Sequence, residues 1–146
     1  MGRILIIEDD GVLAERISDN LSNFDIEEAY SYITAIDAWE EHEGDYKCII
    51  LDLDIPPDGL DDDQLKNDYH GICGILLLNA FCENQSPEKQ REIWAKTVIY
   101  SAFNDELDGK EIMQNPPGIP HKIPKQAINS ISKLVKVVKE ISNQSR

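Results

Sequence analysis

The chain has 146 residues, 28 acidic against 14 basic, and a formal net charge of −14 at pH 7. Such a charge repels phosphate and argues against direct nucleic-acid or anionic-membrane binding, and no apolar run approaches the roughly 20 residues of a membrane helix. The length and 41% hydrophobic residues suit one packed domain with no second one.

In chain order, Arg3 to Ile7 reads as a buried strand that stops at Glu8-Asp9-Asp10. Leu13, Ile17, Leu21 and Phe24 then recur at helical spacing. Ile26 to Tyr30 is a short strand, and Thr34-Ala35-Ile36-Asp37 matches a capping box that opens a helix ending near Glu43-Gly44. Tyr46 to Leu53 is the clearest buried strand, and it runs into Asp52-Leu53-Asp54-Ile55-Pro56-Pro57. Residues 56–70 are polar, acidic and marked by Pro and Gly, so they read as loop. Gly71 to Phe81 is an apolar helix, and Ser86-Pro87-Glu88 caps a further helical turn or a connector. Thr97 to Tyr100 is a buried strand followed by Ser101-Ala102. Asn104 to Met113 reads as a polar helix, Asn115-Pro116-Pro117-Gly118 as a turn, and Ile119 to Ile123 as a last strand. Gln126 to Ser142 forms an amphipathic helix with Ile128, Ile131, Leu134, Val135, Val138 and Ile141 on its apolar stripe and Lys133, Lys136 and Lys139 opposite.

Alternating strands and helices of this size imply an α/β fold, a parallel sheet with helices on both faces. Ligands bind such sheets at the carboxyl ends of the strands. The residues at those ends form one chemical set: Glu8-Asp9-Asp10, Asp52-x-Asp54, Ser101, and a lysine near the last strand, Lys122 or Lys125. Converging carboxylates repel one another and call for a divalent cation, and an all-oxygen site suits Mg²⁺. Carboxylate, metal, hydroxyl and ammonium together equip a site for phosphoryl transfer to an aspartate.

These residues resemble the receiver domain of two-component response regulators, over nearly the whole chain. Ile4-Leu5-Ile6-Ile7-Glu8-Asp9-Asp10 is similar to the family's first strand and acidic pair, and Ile50-Leu51-Asp52-Leu53-Asp54-Ile55-Pro56 to its phosphoacceptor strand. The resemblance implies a doubly wound, flavodoxin-like five-stranded parallel sheet of order 2-1-3-4-5. It implies a stand-alone, chemotaxis-regulator-like switch that is not a turnover enzyme. Asp52 is then the phosphoacceptor. Asp9 and Asp52 ligate Mg²⁺ directly, the backbone carbonyl of Asp54 completes the protein ligands, and Glu8 acts through a water. Ser101 is the switch hydroxyl, and Ala102 and Lys122 bind phosphate, with Lys125 the alternative lysine. The implied donors are a histidine kinase or histidine phosphotransfer protein. A downstream partner would dock on the face of strands four and five and the last helix, in the cytoplasm.

The chain departs from the family pattern in three places. Ile123 separates Lys122 from Pro124, Ile119 stands where an aromatic switch residue often sits, and the Asp52–Ser101 segment is roughly twenty residues longer than is usual in the family, beyond ordinary loop lengths. The excess divides between an acidic enlargement at about 57–70, carrying Asp61-Asp62-Asp63 and His70, and a lengthened region at about 83–95. Asp10 reads as a helix N-cap. Asp54 either modulates hydrolysis of the acyl phosphate or contributes its carbonyl alone. Cys48, Cys73 and Cys82 form no C-x-x-C pair and read as buried reduced thiols. Two other readings remain: a phosphatase of the haloacid dehalogenase kind, built on Asp52-x-Asp54, and a pseudo-receiver that binds without being phosphorylated.

Overall fold

The computed structural model describes residues 2–58, 73–102 and 120–144. Its elements are β1 (Arg3–Ile7), α1 (Gly11–Asp19), β2 (Asp25–Ala29), α2 (Tyr32–Glu41), β3 (Cys48–Leu51), α3 (Cys73–Cys82), α4 (Pro87–Ala95), β4 (Thr97–Ser101), β5 (His121–Pro124) and α5 (Ser130–Gln144). All strand pairs are parallel, in the order β2-β1-β3-β4-β5. This is the doubly wound sheet that the alternating pattern implies, with β1 and β3 side by side at its centre.

Strand alternation divides the core into two layers. Leu5, Ile7, Ile49, Leu51 and Ile99 face α2, α3 and α4, where they meet Ala35, Ala38, Leu77, Phe81 and Trp94. Ile4, Ile6, Cys48, Ile50, Val98 and Tyr100 face α1 and α5, where they meet Ile17, Leu134, Val138 and Ile141. Because β1, β3 and β4 are buried on both faces, they read as continuous apolar runs. The three cysteines are free and buried.

Helix boundaries follow local hydrogen bonding. Asp10 caps α1, its carboxylate accepting from the Val12 and Leu13 amides at 3.1 and 3.2 Å. The capping box of α2 begins three residues before the expected one. Ser31 is the cap, its hydroxyl accepting from the Thr34 amide at 3.3 Å while the Thr34 hydroxyl accepts from the Ser31 amide at 3.0 Å. Ala35 and Ala38 are the buried residues of this helix. Ser86 caps α4 through the Lys89 amide at 3.1 Å, so the region before β4 holds a second full helix. The last helix starts at Ser130, later than the stripe suggests. Ile128 therefore falls in the preceding turn and is 82% exposed. The expected strand from Tyr46 to Leu53 is shorter, Cys48–Leu51. The expected helix over 104–113, the turn at 115–118, Ile119 and most of the acidic 57–70 segment lie outside the described residues.

One glycine fixes how α3 meets the sheet. A Cβ on Gly74 would stand 2.6 Å from Leu53 Cα and 2.9 Å from the Asp52 carbonyl oxygen. The Gly74 amide donates to the Leu53 carbonyl at 2.9 Å. Backbone on both sides leaves nothing soft to move. Gly74→Ala is expected to destabilise the fold by about 1–3 kcal/mol, although alanine is the better helix former. Urea unfolding measures this, and a variant as stable as the parent would contradict the packing described.

Candidate functional site

Three chemically active residues share one topological position. Glu8 is the first residue beyond β1, Asp52 the first beyond β3 and Lys125 the first beyond β5. The Glu8 amide donates to the Ala29 carbonyl at 2.9 Å and the Asp52 amide to the Ile7 carbonyl at 3.0 Å. Each ladder is thus continued one residue past the strand and holds both carboxylates at the sheet's upper edge. Ser101, the last residue of β4, is fully buried there.

Glu8 and Asp52 are each only 4% exposed. One oxygen each from Glu8, Asp9 and Asp52 lies within 4.8 Å of the others. Asp9 is exposed and forms the open side of the group. The Lys125 ammonium closes another side, 2.9 Å from Asp52 Oδ2 and 3.1 and 3.0 Å from Glu8 Oε1 and Oε2. The remaining Asp52 oxygen, Oδ1, accepts from the Asp54 amide at 3.1 Å. Asp54 itself is exposed and its carboxylate is not part of the group.

Burial, reinforced by the Asp52 charge and hydrogen bond, pushes the Glu8 carboxyl up to about 7, against the lowering pull of Lys125. Burial acts to lower Lys125, but the hydrogen bonds and charges of Asp52 and Glu8 outweigh it and hold the ammonium above its ordinary value. The pocket is therefore short of positive charge. Its donor set, three clustered carboxylates with one open side, fits a hard divalent cation such as Mg²⁺. Glu8, Asp9 and Asp52 are the side chains that would hold it.

The lysine at the carboxylates is Lys125 rather than the favoured Lys122. In β5, Lys122 pairs with Ile99, which is level with Leu51, so it stands below the carboxylate layer and is exposed. The sequence carried a usable signal: a strand running to Pro124 makes Lys125 its first following residue, as Glu8 and Asp52 are for theirs. Lys125 is also tied to β4. Its amide donates to the Ser101 carbonyl at 3.3 Å, and its ammonium lies 5.9 Å from the centre of the Tyr100 ring. The Tyr100 hydroxyl shares a 2.7 Å hydrogen bond with Ser130, at the start of α5. Nothing in the sequence pattern singled out Tyr100, which reads as an ordinary strand residue. Ala102 is exposed, and its carbonyl accepts from the Gln126 side chain at 3.3 Å.

No family model matches the chain, and no curated protein matches it in sequence. Solved structures do match. The receiver domain of the Francisella response regulator 1452 superimposes with a TM-score of 0.67 at 19% identity, covering 100% of both chains. The non-phosphorylated HemR receiver domain from Leptospira biflexa gives 0.66 at 20% identity, over 100% of this chain and 98% of that one. A CheY-like response regulator receiver domain protein from Methanospirillum hungatei gives 0.65 at 18% identity, over 99% and 96%. The chain has the receiver-domain fold. No helix among the described residues is long and apolar enough to cross a membrane.

Between its ordinary value of 4.5 and about 7, Glu8 is protonated in the folded protein and ionised in the unfolded one. Its contribution to stability is full below about 4.5 and is lost as pH rises through about 7. The metal-free protein is expected to lose this contribution across that range, and Glu8→Gln to remove the dependence. Carboxyl ¹³C shifts read the titration directly. Lys125→Met is expected to move the Glu8 midpoint upward, and a midpoint that falls or stays would contradict the ion pair.

Proposed function

We propose that the chain is a response-regulator receiver: a signalling phosphoacceptor that takes a phosphoryl group on Asp52 and switches conformation in response. The observation that carries this reading is the buried Asp52 carboxylate, with an ammonium 2.9 Å from one oxygen and Glu8 and Asp9 within ligand distance. The donor is a phosphohistidine on a histidine kinase or phosphotransfer protein. With the second ring nitrogen of that histidine protonated, its P–N bond breaks as a P–O bond to an Asp52 oxygen forms, leaving an acyl phosphate and a neutral imidazole. Mg²⁺, when bound, neutralises charge on the phosphoryl oxygens.

The chain's own residues supply the rest. Lys125 already bonds an Asp52 oxygen and transfers that bond to a phosphoryl oxygen as charge moves outward. The Ser101 hydroxyl and the Ala102 amide, at the end of β4, donate to the others. Each adjustment draws on β4, β5 or the start of α5, so phosphorylation shifts the population of arrangements on that face. The exposed row Lys133, Lys136 and Lys139 on α5 gives the face a positive charge suited to an acidic protein partner. Asp54, exposed two residues beyond the acceptor, stands where a carboxylate would influence attack by water on the acyl phosphate.

Beryllofluoride with Mg²⁺ mimics the acyl phosphate and tests the reading. Amide NMR shifts are expected at Ser101, Ala102, Lys125 and Ser130 in the parent and in Lys122→Ala. They are expected to vanish in Asp52→Ala and to weaken in Lys125→Ala. A parent spectrum that does not respond would favour a pseudo-receiver. Sustained turnover of small phosphate esters would favour a phosphatase.

A further inference from the structure

A second group of ligand-bearing side chains lies away from the phosphoacceptor pocket, on the edge of the sheet formed by β2. Glu27 stands in the middle of that strand, and Glu41 and His42 close α2. One carboxylate oxygen from each glutamate and one His42 ring nitrogen lie within 4.8 Å of one another. His42 Nε2 faces Glu27 Oε2 at 3.9 Å, beyond hydrogen-bond distance.

The imidazole is the informative member. Its side chain is 23% exposed, it packs edge-on against Tyr46 at 5.9 Å, and neither ring nitrogen has a hydrogen bond among the described residues. A partly buried imidazole is thus held against two carboxylates with no hydrogen bond to either ring nitrogen among the described residues. Neither Glu27 nor Glu41 has a lysine or arginine partner among the described residues. The C-terminal end of α2 adds the negative pole of the helix dipole at the same place. Carboxylates, ring nitrogen and dipole all favour a cation there, and the Arg3 guanidinium on neighbouring β1 pairs with Asp25 at 3.6 Å.

We propose that Glu27, Glu41 and His42 bind a borderline divalent cation, Zn²⁺ foremost, and that the ion clamps the edge strand β2 to the end of α2. One imidazole and two carboxylates suit Zn²⁺ better than Mg²⁺, which takes oxygen ligands, and a water completes a tetrahedral shell. Bonds of about 2.0–2.2 Å place ligand atoms about 3.4 Å apart, so Glu27 and His42 close in from 3.9 Å by side-chain rotation while the exposed Glu41 side chain swings toward them. The site does not depend on the role given to Asp52.

Calorimetric titration of the full chain with ZnCl₂, in Mg²⁺ sufficient to fill the Asp52 pocket, tests the proposal. The expected result is one equivalent bound, about tenfold or more weaker in His42→Ala and in Glu27→Gln, and unchanged in Asp52→Asn. Circular dichroism checks that each variant folds. Glu27→Gln, a near-isosteric change on an edge strand, keeps the test informative if His42→Ala does not fold. No binding by the parent, equal binding by a folded Glu27→Gln, or loss of binding in Asp52→Asn would overturn it.

Discussion

Two carboxylates buried side by side are the constraint around which this molecule is arranged. Removing one ionised group from water costs several kcal/mol, and the cost rises when its neighbour carries the same charge. Glu8 and Asp52 meet that condition because β1 and β3 are adjacent and each carboxylate is the first residue beyond its strand. The protein offsets the repulsion in two ways: Lys125 bridges the pair, and Glu8 keeps its proton to about pH 7. Neither removes the shortage of positive charge, and that shortage is what fits the pocket to a cation.

Much of the surrounding structure holds this arrangement in place. Gly74 lets α3 rest on the backbone of Asp52 and Leu53, with no room for a methyl group. Lys125 touches the pocket through its side chain and β4 through its amide. Tyr100 carries the contact onward to Ser130 at the head of α5. A change in where the ammonium rests is therefore felt by β4, β5 and α5, the elements proposed to report phosphorylation. Tyr100 is the aromatic side chain that the described residues place at this junction.

The sheet was legible because its strands are buried on both faces: Ile4 to Ile7, Cys48 to Leu51 and Thr97 to Tyr100 are apolar runs too short for helices. The acids were legible as residues at strand ends. The lysine was harder, since a strand ending at Ile123 promotes Lys122, and only the pairing of Ser101 with Pro124 brings Lys125 level with the pocket. Caps were legible by residue type and less so by position, because Ser31 and Thr34 both qualify and only their reciprocal hydrogen bonds place the start at Ser31. Ile128 fitted a helical stripe that the chain does not continue, since Asn129, at φ 58°, interrupts it just before α5. The His42 group was invisible in the sequence because β2 and α2 bring its members together only in space.

The central claim is that Asp52 accepts the phosphoryl group. Treating the protein with acetyl phosphate and Mg²⁺, trapping the acyl phosphate with borohydride and mapping the reduced residue by peptide mass spectrometry tests it most directly. The account predicts reduction at Asp52 alone, dependent on Mg²⁺. Reduction at Glu8, Asp9 or Asp54 instead, or none anywhere with Mg²⁺ present, would contradict it.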